Sequence, residues 1–195
     1  MVTPDFLSRL GLFVRKGFLD AATCARLRNI AASSPGQPAI IADGSEESLD
    51  LYTRQTTQIT VDSQTKNEIR ARLLKLQPDL EKHFGVSLNE CELPRFLAYR
   101  EGDFFARHRD TNDNPDLSDG IKSRVLSIII LLNGEDMYSG GALTFYDLIP
   151  DPRLKMRGFP LQGEEGLLVV FSSRTLHEVQ PVKSGVRFSI VTWFI

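Results

Sequence analysis

Residues 166–195 read GLLVVFSSRTLHEVQPVKSGVRFSIVTWFI, three runs rich in β-branched and aromatic residues broken by short polar stretches. The same texture begins just after Pro94. Residues 95–108, 123–132, 141–147, 166–171, 176–182 and 186–195 are predicted strands, with no helix-period segment between them. Six strands in succession predict an antiparallel sandwich or barrel. Two longer interruptions, 111–122 and 148–165, have the length of lids or binding loops.

Upstream of Pro94 the order is mixed. Residues 11–18 predict an opening strand, and Asp20 suits the N-cap of a helix that carries Cys24, Leu27 and Ile30 on one side. Residues 33–48, rich in Gly, Pro and Ser, predict a loop. Residues 51–61 predict a second strand, with Tyr52 and Arg54 placed to line a groove. Ile69, Leu73, Leu76, Leu80 and Phe84 recur at helical spacing, with Pro78 a possible kink. The two helices are expected to cover one face of a sheet. The fold class is therefore mainly β with N-terminal helices. One domain is expected over 1–195, with 1–94 supporting a β core at 95–195.

The chain of 195 residues is 42% hydrophobic and 25% charged, which excludes collagenous and disordered classes. Lys and Arg total 23 against 25 Asp and Glu, a formal charge of -2, so no nucleic-acid partner is expected. The longest apolar stretch, 125–132, is interrupted by Ser127 and falls far short of the ~20 residues that span a bilayer, so no membrane association is expected either. With no basic region ahead of the first apolar residues, a cytoplasmic location is the default. Cys24 and Cys91 are too few and too far apart for a disulfide framework and read as reduced core thiols.

The chemistry lies in the histidines. His83, near the end of the second helix, reads as structural. His108 is different, because Asp110 follows two places later in an extended segment, where i and i+2 project to one face. An imidazole and a carboxylate so placed form one edge of a two-histidine, one-carboxylate facial triad of the Fe(II) type, and His177 can supply the third ligand from a distant strand. Arg187 lies ten residues after His177, across an expected hairpin turn at Lys183-Ser184-Gly185 that would put the two on neighbouring strands. Arg187, Ser189, Val191 and Trp193 alternate onto one face. If that face is the interior, a buried guanidinium needs an anionic partner, and a bound dicarboxylate would serve.

At this point the sequence resembles a known family. Residues 99–110 (YREGDFFARHRD), 126–133 (LSIIILLN), 139–145 (SGGALTF) and 177–187 (HEVQPVKSGVR), closed by Trp193, are similar to the prolyl 4-hydroxylase branch of the Fe(II)- and 2-oxoglutarate-dependent dioxygenases. The resemblance implies a distorted double-stranded β-helix of the jelly-roll or cupin type, buttressed by α-helices. It implies Fe(II) held by His108, Asp110 and His177, 2-oxoglutarate held by Arg187 with Tyr99 nearby, and O2 as co-reactant, with ascorbate as a candidate reductant. Trp193 is expected at the active-site margin, and Gly140-Gly141 at a turn. The implied activity is an oxidoreductase that hydroxylates an unactivated C–H bond and releases succinate and CO2.

Asp110 sets the chain apart from related halogenases, which lose this carboxylate. Trp193, where the nucleic-acid demethylases carry a second arginine, sets it apart from that branch. Two substrate classes stay open, a prolyl residue in a protein or peptide and a free amino acid or small metabolite. A non-catalytic cupin-like binding module is the class-level alternative. Residues 128–132 are purely aliphatic where some prolyl hydroxylases place tyrosine, so cosubstrate contacts beyond Arg187 do not carry over.

Overall fold

The aliphatic run around Ser127 lies at the centre of the larger sheet in a computed structural model of the protein, which describes residues 4–39, 41–43, 46–48 and 53–195. In chain order the described elements are α1 (Pro4–Arg9), β1 (Leu12–Arg15), α2 (Ala21–Ser33), β2 (Gly36–Pro38), β3 (Ile41–Asp43), β4 (Glu46–Ser48), β5 (Arg54–Gln55), β6 (Thr57–Ile59), α3 (Ser63–Phe84), β7 (Arg95–Tyr99), β8 (Phe104–His108), α4 (Asp119–Lys122), β9 (Leu126–Leu131), β10 (Tyr138–Gly140), β11 (Leu143–Phe145), β12 (Phe159–Leu161), β13 (Leu168–Ser172), β14 (His177–Val179), β15 (Val182–Gly185) and β16 (Arg187–Phe194).

Two antiparallel sheets face each other. The larger has the order β1-β13-β9-β16-β7-β6-β2 and the smaller β12-β11-β14-β8-β5. Strand β9 is buried on both faces, which is why it reads as an unbroken aliphatic run instead of alternating. Leu126, Ile128 and Ile130 pack outward under the helices, together with Cys24, Leu27, Ile69, Leu73 and Leu80. Ile129 and Leu131 point the other way, into the space between the sheets, where they meet Leu97, Val169 and Phe171 of the same sheet and Leu143, Phe145 and Val179 of the smaller one.

The helices are fixed at their ends by caps, of which Asp20 is the one expected from the sequence. The Asp20 carboxylate accepts from the Thr23 N–H at 2.7 Å and caps α2; Asp62 accepts from the Thr65 N–H at 2.8 Å and caps α3. At the other end of α3, Gly85 adopts φ 65° and returns its N–H to the Glu81 carbonyl. The helix continues through Pro78, and His83 packs edge-on against Phe13 and Phe84, a structural role. Both cysteines are buried and free.

Several expectations need correction. Residues 33–48 are not wholly loop: β2, β3 and β4 lie there, and β2 accommodates Gly36 and Pro38 because it is the last strand of its sheet, with one edge unpaired. The predicted strand at 51–61 divides, β5 joining the smaller sheet and β6 the larger, while Leu51 and Tyr52 lie outside the described residues. Residues 95–108 form two strands in different sheets, turned at Gly102, which has φ 87°. Helix α4 interrupts the first long loop, and β12 the second. Lys183-Ser184-Gly185 is no hairpin turn but part of β15, which pairs with β10. As a result β14 and β16, with His177 and Arg187, lie on opposite sheets and not on neighbouring strands.

Candidate active site

His108 ends β8 and His177 begins β14, and the two residues are direct partners in the antiparallel ladder between these strands. Between this pair and the next, Val179 and Phe105, β8 carries one residue more than β14. That bulge has a consequence for the site. Phe105 and His108, three apart, would face opposite sides of a regular strand, yet their rings stack at 3.5 Å and 14°. On the other side His177 meets the edge of Phe171 at 4.7 Å.

Asp110 follows the end of β8, held by its N–H donating to the Ser173 carbonyl at 2.9 Å. Its Oδ1 lies 3.5 Å from His108 Nε2 and its Oδ2 3.8 Å from His177 Nε2. One ligand atom from each of the three residues falls within 4.8 Å of the others. The tautomers follow from the outer nitrogens. His108 Nδ1 meets the Ala106 carbonyl at 2.8 Å and His177 Nδ1 the Thr175 carbonyl at 3.0 Å. A carbonyl only accepts, so both Nδ1 atoms carry hydrogen and both Nε2 lone pairs face the centre.

The charges agree with that assignment. Burial pushes His177 down to about 4, with His108 adding to the effect, so it is neutral near pH 7. Burial alone would raise the Asp110 carboxyl, but the facing imidazoles outweigh it and hold the group far below the usual carboxylate range. Two neutral nitrogens and one anionic oxygen on one side of a shared point suit a divalent cation that keeps other positions open.

Arg187 opens β16 opposite Tyr99 of β7 and is 1% exposed. Its guanidinium carbon lies 5.2 Å from the Tyr99 ring centroid, and Nη1 donates to Ser189 Oγ at 3.1 Å. Its Nε and Nη2 are buried and find no hydrogen-bond partner among the described residues. Two unanswered donors on a buried cation are costly, and a carboxylate presents the matching pair of acceptors. Gly141 makes room for this arginine: a Cβ there would stand 3.0 Å from Arg187 Cδ, on a backbone with φ 61°.

Trp193 lies opposite Ser127 in the β16–β9 ladder, with the Arg124 guanidinium 3.6 Å and that of Arg95 5.0 Å from its ring centroid. Its Nε1 is buried without a partner. Arg54 lies over Phe105 at 4.6 Å and so is joined to His108 through the stacked ring. Tyr52 lies outside the described residues. Two site residues have no motif of their own. The Ser127 hydroxyl lies beside the Asp110 carboxylate and donates to Ser173 Oγ at 2.9 Å; its signal in the sequence is a polar residue inside an aliphatic strand. Tyr138, whose hydroxyl lies against Arg187, has no such signal.

The model of the 2OG-Fe(II) oxygenase superfamily matches residues 94–195, just over half the chain. The chain belongs to that superfamily. Among curated relatives of this chain, a PKHD-type hydroxylase of Shewanella oneidensis is 35% identical over 100 residues, covering 51% of this chain and 41% of the relative. One from Psychrobacter is 32% identical over 102 residues, covering 51% and 36%. The match therefore spans less than half the length of these relatives. Among solved structures, a Pseudomonas putida prolyl-4-hydroxylase superposes with a TM-score of 0.70 at 24% identity, covering 97% of this chain and 95% of that one. A Trichoplax adhaerens prolyl hydroxylase, solved with a hypoxia inducible factor peptide fragment, gives 0.71 at 18% identity, covering 98% and 86%. At these identities the structures establish the fold, the double-stranded β-helix that the oxygenase motifs imply, with helices against its larger sheet.

Proposed function

We propose that this protein is an Fe(II)- and 2-oxoglutarate-dependent dioxygenase that hydroxylates a prolyl residue in a protein or peptide. The observation that carries the reading is the pairing, in one interior, of a convergent His108, Asp110 and His177 with a buried Arg187 that has two nitrogens unanswered among the described residues. The three ligands fit a metal with open positions, and the arginine fits the distal carboxylate of a 2-oxo diacid. When bound, iron, 2-oxoglutarate and O2 supply an oxidative decarboxylation to succinate and CO2 coupled to insertion of oxygen into a C–H bond.

The chain's own part is positioning. His108 and His177 present Nε2 because the Ala106 and Thr175 carbonyls hold their other nitrogens. Asp110 supplies the negative charge and is positioned by its backbone N–H donating to the Ser173 carbonyl. Arg187 clamps the cosubstrate at the end away from the metal, with the Tyr99 ring alongside. Phe171, Leu131 and Val169 wall the interior against water. Trp193 and Arg54 form the margin that a substrate meets. The names of the peptide-bound Trichoplax neighbour and of the Pseudomonas putida neighbour support a prolyl or peptidyl substrate, and those of the PKHD-type relatives support a hydroxylase.

The test is succinate formation by protein loaded anaerobically with Fe(II) and 2-oxoglutarate, with ascorbate as reductant, after air is admitted. The expected result is succinate that disappears in Asp110→Ala and Arg187→Ala and rises with particular proline-containing peptides. Succinate that no peptide stimulates would move the substrate to a free amino acid or small metabolite. Absence of both succinate and 2-oxoglutarate binding in the wild type would remove the enzymatic reading.

A further inference from the structure

Taking His108, Asp110 and His177 as metal ligands, an assignment that rests on the proposed function, requires His108 and His177 to keep a fixed separation. The ladder between their strands does not secure it. The two histidines are partners, but the next pair is Phe105 and Val179, so Ala106 and Arg107 of β8 together face Glu178 of β14. A bulge of this kind leaves a residue unpaired and disrupts the ladder where it sits. Strand β14 has only three residues to set against that.

Three side chains on the outer face of the smaller sheet bridge the bulge. His177 and Val179 are buried toward the interior, and Glu178 between them points the other way. The Tyr146 hydroxyl, one residue beyond β11, donates to Glu178 Oε1 at 2.6 Å. Glu178 Oε2 lies 3.6 Å from Arg107 Nε, and the Arg107 guanidinium carbon stands 4.9 Å from the Tyr146 ring centroid. Arg107 precedes His108, Glu178 follows His177, and Tyr146 follows Phe145, which is itself paired with His177. The Tyr146–Glu178 bond is sheltered. Tyr146 is 8% exposed, and a Cβ at Gly158 would stand 3.1 Å from its ring. Away from water, a hydrogen bond to a carboxylate holds its partners more firmly. Burial, with Glu178 adding to it, pushes the phenol up to about 12, so Tyr146 keeps its proton and donates.

We infer that Tyr146 and Glu178, braced by Arg107, are positioning residues that fix the separation of His108 and His177 and so set the protein's affinity for its metal. They act from the face of the sheet opposite to the ligating nitrogens.

Metal binding, read without turnover, tests this. Metal-free protein is titrated anaerobically with Co(II), whose visible absorption bands report coordination geometry while the titration gives affinity. Tyr146→Phe is expected to weaken Co(II) about tenfold, the lower end for an outer-shell partner, and to shift those bands. Glu178→Ala is expected to do the same, and the double variant to be no weaker than Glu178→Ala alone. Glu178→Gln, which still accepts from Tyr146, is expected to retain most of the wild-type affinity. Unchanged Co(II) affinity and bands in Tyr146→Phe overturn the inference whether or not Tm falls, since a tie that only stabilises the sheet would lower Tm alone. Additive losses in the double variant, or a Glu178→Gln as weak as Glu178→Ala, also overturn it. If Tyr146→Phe does not fold, the comparison of Glu178→Gln with Glu178→Ala decides. Co(II) binding that is absent from the wild type, or that Asp110→Ala leaves unchanged, overturns the proposed function itself.

Discussion

Replacing Arg187 by Met should make the ligand-free protein more stable while abolishing its response to 2-oxoglutarate. Arg187 is 1% exposed, and its Nε and Nη2 have no partner. Each unanswered buried donor costs about 1–3 kcal/mol. Against this stand the bond to Ser189 Oγ, about 1–2 kcal/mol, and the contact with the Tyr99 ring, about 1 kcal/mol. Methionine fills much of the same volume with no polar atom, and exchanging a buried charge for an apolar side chain commonly gains about 1–4 kcal/mol. The balance is a gain of about 2 kcal/mol, or roughly 4–8 °C in Tm for a chain of this size. The assay is thermal unfolding of metal-free protein, repeated with Mn(II) and 2-oxoglutarate. Wild type should rise on adding the cosubstrate and Arg187→Met should not. A variant melting below the wild type would refute the reasoning, because it would mean that the guanidinium is already satisfied and the interior holds no waiting carboxylate site.

Two further outcomes follow from the same geometry. The metal-free protein should lose stability as pH falls from about 6.5 to about 4. His177 is held neutral in the fold, with its pKa pushed down to about 4 from an ordinary 6.5, so its contribution is complete above the unfolded value and is lost as protons favour the unfolded chain. Denaturant midpoints across that range should show a shallower fall in His177→Gln, and an identical slope would contradict the assignment. Leu73→Ala, at a fully buried position of α3 against the larger sheet, should cost about 3 kcal/mol and lower Tm by roughly 6–12 °C without changing 2-oxoglutarate affinity. A loss of affinity at matched folded fraction would mean that the helix layer shapes the site and does more than support it.

The elements legible in the sequence are those whose pattern is local. Asp20 announces the helix it caps, and the spacing from Ile69 to Leu80 matches the buried face of α3. The alternation of Arg187, Ser189, Val191 and Trp193 correctly separates them from Phe188, Ile190 and Phe194, which face or border the helix layer. What escaped depends on partners distant in the chain. Strands β10 and β15 have three and four residues, too short for alternation to register, and Lys183-Ser184-Gly185 has the composition of a turn. Only their pairing with each other makes them strands, and that pairing carries the chain from the smaller sheet to the larger. Reading a hairpin there placed His177 and Arg187 side by side, when the fold sets them across an interior.

That difference bears on the chemistry. Neighbouring strands would place the arginine against His177, where, on the proposed reading, it would repel the metal cation and compete for Asp110. On the proposed reading, opposite sheets put the metal ligands on one wall of the interior and the guanidinium on the other, which suits a molecule bearing an acid function at each end. The residues that define the gap are the exceptions to an apolar interior. Ser127, Ser173, His177, Arg187 and Ser189 are buried where aliphatic neighbours set the rule, and each polar group so placed costs stability unless it is answered. Ser127 and Ser173 answer one another, His177 answers the Thr175 carbonyl, and Ser189 answers one nitrogen of Arg187. The Arg187 Nε and Nη2 left over find no partner among the described residues, and on the proposed reading the cosubstrate carboxylate answers them.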